Sequence, residues 1–259
     1  MDNLRRKFIK NTLKSALSFF SVNVLSGFSM KSNKWTTSDI KKQSKTMVIK
    51  EIKYNKPLNI SKAEKLLESN AEFEFIETIN WTNYSYKPEV KFKIAHCQDQ
   101  ILLKYYVKEE SVLAKVSAIN GSVHKDSCVE FFISPQPGGP YYNFEFNCIG
   151  IPHVAYGASR RDRKLIDPEV LKLIQTKSSL GDQPFEEKTG GQQWELMLVI
   201  PSECFVNDAD LVLKGLNSQA NFYKCADDTV KPHFVTWNPV GTENPDYHQP
   251  QYFGEVIFE

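Results

Sequence analysis

The body of the chain alternates apolar and polar residues in the manner of β-strands. Apolar side chains recur at every second position over 90–96 and again over 101–107, with Lys91 and Lys104 among the residues between them. A period of two is typical of a half-buried strand, whose successive side chains point to opposite faces. Residues 97–100 indicate a tight turn, so the pattern predicts two neighbouring antiparallel strands.

The next two strands differ in how much polar material they carry. Residues 128–134 are apolar at nearly every position except Glu130, as expected of a central strand covered on both faces. Prolines and glycines fill 135–140 and must end this strand. Alternation resumes over 141–149. The polar side chains of that segment fall on one face: Asn143, Glu145 and Asn147.

Helical patterns are short. Residues 61–69 form the clearest one, with Ser61 as the N-cap and Glu64 completing a capping box. A second short helix is expected over 167–173, and a single turn over 201–205.

The balance of elements predicts the fold class. Further strands are expected over 194–200, 211–223 and 253–258. Many short strands separated by turn residues, without alternation of strands and helices, are typical of two packed antiparallel sheets. We therefore predict an all-β protein, an antiparallel β-sandwich of jelly-roll-like type with a few short helices.

The first thirty residues differ from the body. Basic residues precede a moderately apolar run over 16–28, which is the layout of an export signal. The adjacent Arg5 and Arg6 resemble the twin-arginine export motif. We expect a protein exported to the periplasm or the extracellular space. Its predicted parts are an export signal over 1–30, a polar linker over 31–50 and a single domain over 51–259.

Charge follows the same division. Residues 1–50 contain 11 lysines and arginines against two acidic residues, which leaves 21 basic and 29 acidic residues in the body. An acidic body has little attraction for phosphate backbones, so nucleic acid is not an expected partner. No run reaches the roughly 18 apolar residues of a spanning helix, so no membrane span is expected.

Cysteine and histidine provide no recognisable catalytic motif. The five cysteines include no C-x-x-C pair, and the odd number leaves at least one thiol unpaired. Their apolar surroundings favour buried thiols that pack as small hydrophobic groups. No H-E-x-x-H motif occurs, so a zinc hydrolase has no sequence support.

Segments spread along the body resemble the family 9 carbohydrate-binding modules. They are Asp126 to Phe132, Tyr141 to Asn147, and a C-terminal set with Trp237-Asn238-Pro239, Pro245-Asp246-Tyr247-His248 and Phe253-Gly254. The likeness extends from about Trp81 to Glu259, and is greatest to the stand-alone exported proteins of sugar-degrading bacteria. It implies a β-sandwich that binds the end of a glycan or an oligosaccharide between aromatic rings, without catalysis, in support of polysaccharide use.

The resemblance also implies site residues. A sugar ring needs a flat aromatic surface and polar groups at its rim. Trp237, beside a loop rich in proline and asparagine, is expected to be the aromatic platform. The second aromatic of the family falls at His124, a smaller ring that is expected to form a partial wall. Glu130 matches the carboxylate that binds sugar, and Arg160 is expected to be the sugar-binding arginine. Further lining residues are expected to be Glu145, Asn147 and Asn238.

Two other functions stay open. Glu130 and Glu145 could supply the paired carboxylates of a glycoside hydrolase. His153 and Met197 could be the axial ligands of a b-type haem, as in a related periplasmic sandwich. For the binding function no cofactor is expected, and a structural Ca²⁺ is left open.

Overall fold

The computed structural model describes residues 44–259. The predicted export signal, with its twin-arginine motif, and residues 31–43 of the predicted linker lie outside the described residues. Within the described part, no helix is long and apolar enough to cross a membrane.

Strands dominate the described residues. In chain order they are β1 (Thr46–Ile49), β2 (Glu74–Phe75), β3 (Thr78–Ile79), β4 (Glu89–Cys97), β5 (Gln100–Ala114), β6 (Cys128–Ser134), β7 (Tyr141–Asn147), β8 (Pro152–Gly157), β9 (Lys164–Leu165), β10 (Gln175–Ser178), β11 (Phe185–Pro201), β12 (Asn217–Cys225), β13 (Phe234–Thr236) and β14 (Gly254–Phe258). The α-helices are α1 (Ile60–Asn70) and α2 (Pro168–Leu171), and single 3₁₀ turns occupy Val123–Lys125, Ser202–Cys204 and Pro250–Tyr252.

The strands form two sheets. The larger has nine strands, with β1-β14-β12-β6-β7-β8-β9 as its main path and β13 and β3 attached beside β12. The smaller has five, in the order β10-β11-β5-β4-β2. Among the strands of residues 44–259, all pairings are antiparallel except that of β1 with β14. The predicted all-β antiparallel sandwich is confirmed.

The main core lies between the two sheets. It takes alternate residues from each strand, such as Phe92 and Tyr105 from the smaller sheet and Phe131 and Phe222 from the larger. The rings of Phe92 and Phe222 stack at 4.2 Å, which joins the two sheets directly. The alternation read from 90–107 is therefore the inward and outward alternation of β4 and β5.

The outer face of each sheet is also covered. Helix α1 places Ala63 and Leu67 on the five-stranded sheet, against Leu102 and Met197 among others. The C-terminal segment covers one part of the nine-stranded sheet with a second cluster of aromatic side chains. Its members include Phe132, Tyr141, Tyr223, Tyr247 and Phe253.

Several predicted boundaries differ from the structure: for example, the strand expected over 194–200 extends over Phe185–Pro201, and that expected over 101–107 over Gln100–Ala114. The N-cap of α1 is Asn59 rather than Ser61, because the Asn59 side chain accepts a hydrogen bond from the backbone N–H of Lys62 at 2.9 Å. The strand expected to begin at residue 211 begins at Asn217, because the preceding residues form turns.

The predicted linker contains a strand. Its residues 46–49 form β1, which pairs in parallel with β14, and Met47 and Ile49 are buried in the main core. The folded body therefore includes residues that composition alone had assigned to the linker.

Candidate functional site

The outer face of the nine-stranded sheet carries a line of polar side chains. Glu130 on β6 lies directly opposite Glu145 on β7, which lies opposite His153 on β8. Because side chains alternate along each strand, these three share one face while their neighbours Phe131, Phe144 and Val154 enter the main core. The face between the covering loops forms the floor of a cavity of about 340 Å³.

Loops from distant parts of the chain form the walls. The cavity is lined by Glu130, Glu145, His153 and Cys225 from the strands, by Phe234 from β13, and by Tyr84, His124, Arg160, Arg163, Asp227, Pro245, Asp246, Tyr247 and His248 from loops and turns. A volume of this size lies near the lower end of small-molecule sites, which span about 300–1,000 Å³.

Glu145 is held by three neighbours. The amide of Asn143 donates to Oε1 at 2.9 Å, and the guanidinium Nη1 of Arg163 lies 3.9 Å from the same oxygen. The imidazole Nδ1 of His124 lies 4.0 Å from Oε2. Glu145 is thus fixed as an acceptor at the floor, next to two basic side chains.

Glu130 has a different environment. Its carboxyl group accepts hydrogen bonds from two thiols, that of Cys225 at 3.2 Å and that of Cys128 at 3.9 Å. Burial raises the pKa of Glu130 well above its ordinary value, and the nearby charge of Glu145 raises it further. Burial likewise raises the pKa of the Cys128 thiol to about 12.

Arg163 reaches the floor from the segment after β8. Its Nε donates to the backbone oxygen of Arg160 at 3.2 Å. A Cβ atom at Gly157 would lie 2.8 Å from the Cα of Arg163, so the turn needs glycine at that position. Arg160 lies further out, with Nη1 3.7 Å from Asp246.

Polar atoms at the cavity remain unsatisfied. Within residues 44–259, neither Nη1 of Arg163 nor Oδ1 of Asp227 has a hydrogen-bond partner, although both atoms are buried. Burial raises the pKa of the Asp227 carboxyl group, and the charge of His124 lowers it by a smaller amount. Buried polar atoms are nearly always paired in folded proteins, so these two are candidates for bonds to a ligand.

Aromatic rings form one wall. Tyr84 and Phe234 are half-buried and pack edge to face, with ring centroids 4.7 Å apart. Behind them Tyr247 is buried and stacks on Tyr223 at 4.1 Å. The partly exposed rings of Tyr84 and Phe234 are the aromatic surface available to a ligand.

The histidines at the cavity differ in their freedom to bind a ligand. His248 lies 3.0 Å from the hydroxyl of Tyr141, and burial together with the charges of Arg163 and Arg160 lowers its pKa to about 2. It therefore stays neutral. The Nδ1 atom of His153 lies 3.1 Å from the backbone oxygens of Asn120 and Gly121. His124 is 41% exposed at the mouth.

Four of the seven predicted site residues meet at this cavity. They are Glu130, Glu145, His124 and Arg160. The other three, Trp237, Asn147 and Asn238, lie elsewhere and have structural contacts.

The prediction that Trp237 is the aromatic platform is wrong. Only 1% of Trp237 is exposed, and it belongs to the main core with Phe222, its edge-to-face neighbour at 5.7 Å. Its indole N–H donates to Glu74 at 3.2 Å. A Cβ atom at Gly254 would lie 2.6 Å from the indole, so glycine is required there for the ring to fit. The Trp237 ring has no free face for a sugar.

Asn147 and Asn238 are also corrected to structural roles. Asn147 donates to Asp126 and to the backbone oxygen of Val116, and its side-chain oxygen accepts from the N–H of Ile151. Asn238 donates to the backbone oxygen of Tyr252 and accepts from the N–H of Lys45. Both side chains are buried and their hydrogen-bonding groups are already used.

The residues considered for haem ligation do not meet. His153 lines the cavity on the outer face of the nine-stranded sheet. Met197 is packed beneath α1 on the outer face of the five-stranded sheet. The main core separates them, so they cannot coordinate one iron.

Several lining residues were missed from the sequence. The alternation of side chains along a strand could have indicated Phe234. On β13 it lies on the opposite face from Val235 and Trp237, which both enter the core. Arg163 lies three residues after the predicted Arg160, in the same basic segment over 160–164. No sequence signal marked Tyr84 or Asp227, because loop closure over the sheet brings them to the site.

Comparison with known proteins agrees with this architecture. A crystal structure from Bacteroides uniformis, provisionally described as a carbohydrate-binding protein, is 42% identical, with a TM-score of 0.80 over 83% of this chain and 100% of that chain. A carbohydrate-binding module of family 9 from Caldicellulosiruptor kristjanssonii, solved with glucose and with cellotriose, is 15% identical. Its TM-score is 0.52 over 83% of this chain and 96% or 94% of that chain, and it supports the fold alone.

A match by sequence shows the family. No curated protein matches the chain. The carbohydrate-binding family 9 matches residues 61–258, which is most of the chain and includes the strands and loops that form the cavity. The chain therefore belongs to carbohydrate-binding family 9.

Proposed function

We propose that the cavity on the nine-stranded sheet binds the end of a glycan or a short oligosaccharide, without catalysis. The observation that carries this proposal is the combination, in one cavity, of partly exposed aromatic rings with buried polar atoms that lack partners within residues 44–259. A ligand with one apolar face and a rim of hydroxyl groups satisfies both features, and a pyranose is such a ligand.

The expected contacts follow from the chemistry of each side chain. Tyr84 and Phe234 offer rings against which the C–H face of a sugar packs. Arg163 has a free N–H to donate to a hydroxyl oxygen, whereas Asp227 has an oxygen free to accept from a hydroxyl group. Glu145, already fixed by Asn143, supplies a second acceptor at the floor.

The two floor carboxyl groups differ in how they can meet a ligand. Glu145 has its position set by an amide and two basic side chains, so it presents a preorganised acceptor to sugar hydroxyls. Glu130 lies deeper and takes its hydrogen bonds from thiols. Membership of a carbohydrate-binding family also favours binding over hydrolysis.

The cellular setting is part of the same proposal. The basic and apolar N-terminal segment supports export by the twin-arginine route, to the periplasm or beyond, where a glycan-binding protein would serve polysaccharide degradation. The proposed sugar contacts need no cofactor, and a structural Ca²⁺ is left open, as it was from the sequence.

The test is a binding measurement on variants with a matched control. A glycan array identifies ligands, and calorimetry with glucose and cellotriose provides the first quantitative probes, because the Caldicellulosiruptor module was solved with both sugars. Phe234→Ala should weaken binding at least about tenfold, the scale of a lost hot-spot contact. Arg163→Gln should do the same, because the shorter, neutral amide does not replace the guanidinium at the floor.

Phe75→Ala is the control, since Phe75 is 50% exposed on the five-stranded sheet, outside this cavity. It should bind as the parent does. Equal weakening by Phe75→Ala, or unchanged affinity in Phe234→Ala and Arg163→Gln, would move the binding site elsewhere. Release of reducing sugar from a bound polysaccharide would contradict a purely binding role.

A further inference from the structure

Three atoms that ligate metals lie together beneath the cavity. They are the thiol sulfurs of Cys128 and Cys225 and a carboxylate oxygen of Glu130, all within 4.8 Å of one another. The strand register places them there, because Cys128 lies directly opposite Cys225 across β6 and β12, and Glu130 follows on the same face of β6. This cluster takes no part in the sugar contacts proposed above, apart from lining the cavity floor.

The spacing suits a tetrahedral zinc ion. Zinc binds thiolate at about 2.3 Å and carboxylate at about 2.0 Å, so the ligand atoms of a tetrahedral site lie about 3.5–3.8 Å apart. The observed distances to Glu130 Oε1 are 3.2 Å from Cys225 and 3.9 Å from Cys128. Side-chain shifts of a few tenths of an ångström would bring both into that range. The two sulfurs lie within 4.8 Å of each other, compared with about 3.8 Å in a tetrahedral pair.

The electrostatics of Glu130 also favours a cation. It is a buried acidic group, and no basic side chain of residues 44–259 lies within ion-pair distance of it. Arg163 reaches Glu145 instead, and the ammonium of Lys224 is directed to Glu109. A buried carboxyl group whose hydrogen bonds come only from thiols, which are weak donors, lacks the compensation that such groups usually have.

Access and coordination number are consistent with an ion at this position. Glu130 and Cys225 line the cavity, which provides a path from solvent, whereas Cys128 lies behind them. Three protein ligands leave the fourth position facing the cavity, where water can complete the tetrahedron. Two thiolates favour a soft metal, and the added carboxylate favours Zn²⁺ over Cu⁺.

We propose that Cys128, Glu130 and Cys225 form a Zn²⁺ site in the floor of the cavity, with its fourth coordination position open to the cavity. Binding converts the two thiols to thiolates and releases their protons to solvent. Zinc binding at this site does not require that the cavity binds sugar.

The competing state of the same residues is a disulfide. Cys128 and Cys225 are a directly opposed cross-strand pair, and an exported protein meets oxidising conditions. A disulfide would remove both sulfur ligands, so the redox state of the purified protein decides between the two.

The experiment uses the full chain without a polyhistidine tag, treated with chelator and reductant and then titrated calorimetrically with Zn²⁺ in the absence of sugar. We expect one equivalent to bind. Cys128→Ser and Cys225→Ser should each weaken binding at least about a hundredfold, because loss of a ligand costs more than loss of an outer-shell partner, which costs about 10–100-fold. Cys97→Ser and Cys204→Ser are the controls, because these thiols are equally buried but lie outside the cluster, and they should bind as the parent does.

Cobalt provides a measurement that needs no variant. Co²⁺ added to the reduced parent should give the near-ultraviolet thiolate-to-cobalt charge-transfer band and the intense visible bands of a tetrahedral site. Absence of zinc binding, absence of the thiolate band, equal affinity in all four variants, or a Cys128–Cys225 disulfide in protein purified without reductant would each overturn the proposal. Calorimetry with sugar on the metal-free protein tests sugar binding separately. Failure of the zinc site and failure of the proposed sugar binding can therefore be distinguished.

Discussion

At the scale of single residues, Trp237 shows how position on a strand overrides residue type. Trp237 is followed by a loop whose composition is typical of an exposed segment. The backbone N–H of Trp237 nevertheless donates to the backbone oxygen of Phe222, so Trp237 continues the alternation of β13. It therefore shares the inward face with Val235. The Trp-Asn-Pro and Phe-Gly segments that mark the family are explained here by packing, since the indole and Gly254 need each other.

This assignment predicts a separation of stability from binding. Trp237→Phe should lower the free energy of unfolding by about 2 kcal/mol, because a smaller ring leaves part of its buried volume empty. Affinity for sugar should stay within about twofold of the parent, because the indole lies outside the cavity. Denaturant unfolding and calorimetry check the two quantities. The opposite result, with stability unchanged and binding lost, would return Trp237 to the site.

The acidic residues show what the alternation of side chains along a strand can predict. Glu145 alternates with apolar residues, so the sequence predicted that it shares a face with Asn143 and Asn147. That Glu130 lies on the same face of the sheet depends on the register of β6 with β7, which only the structure provides. Asn147 lies on the same face of β7 but is the last residue of the strand, where its amide group forms hydrogen bonds with loop backbone groups. Strand alternation therefore predicts which face of the sheet a side chain occupies. Its hydrogen-bond partners depend on loops that have no comparable periodicity.

At the scale of secondary structure, long strands were predictable and short ones were not. Strands β4, β5 and β7 each contain enough alternating residues to make the period of two evident, and β6 is evident as a continuous apolar run. β1 has four residues among polar neighbours and was assigned to the linker. Its stability depends on pairing with β14, more than 200 residues away, which local composition cannot reveal.

Strand β1 offers a comparison within one element. Ile49 is fully buried, whereas its neighbour Val48 is 50% exposed. Ile49→Ala should lower the free energy of unfolding by about 2–4 kcal/mol, and Val48→Ala by less than about 1 kcal/mol, because only the first substitution empties core volume. Chemical denaturation measures both. Similar small effects would mean that residues 46–49 contribute little to the folded body, as expected of a linker.

At the scale of the whole molecule, the cavity is a product of topology. Its walls come from the segment before β4, the turn before β6, the connection from β8 to β9, and the chain on both sides of β13. The sequence predicted the sandwich because strand alternation is local. It predicted only part of the site because Tyr84, Arg163 and Asp227 are brought together by connections whose paths are not encoded in any repeating pattern.

A buried charge network gives the whole molecule a dependence on pH. The Lys224 ammonium lies 2.9 Å from Glu109 and donates to Nε2 of His233 at 2.8 Å. Nδ1 of His233 faces the backbone oxygen of Lys231 at 2.8 Å, and the ring of Tyr86 packs against the imidazole. Both ring nitrogens are therefore used by the neutral imidazole. Burial, with the Lys224 charge second, lowers the pKa of His233 to about 2.

The sign of the effect follows from proton binding. As pH falls below about 6.5, the ordinary pKa of histidine, the unfolded chain binds a proton at His233 that the native state refuses, so stability is lost on acidification. Between pH 7.5 and 5.5 this loss is about 1 kcal/mol. The raised pKa of Glu130 acts in the opposite direction, so total stability alone would not isolate the contribution of His233.

A comparison with His233→Gln isolates it, because glutamine can accept from Lys224 and does not titrate, while the contribution of Glu130 is the same in both proteins. The stability difference between parent and variant should shift by about 1 kcal/mol against the parent from pH 7.5 to pH 5.5, measured by urea unfolding at both values. Nuclear magnetic resonance should show the His233 ring neutral throughout this interval. A ring that titrates near pH 6.5, or a stability difference independent of pH, would mean that burial and the Lys224 ammonium do not hold the imidazole in its neutral form.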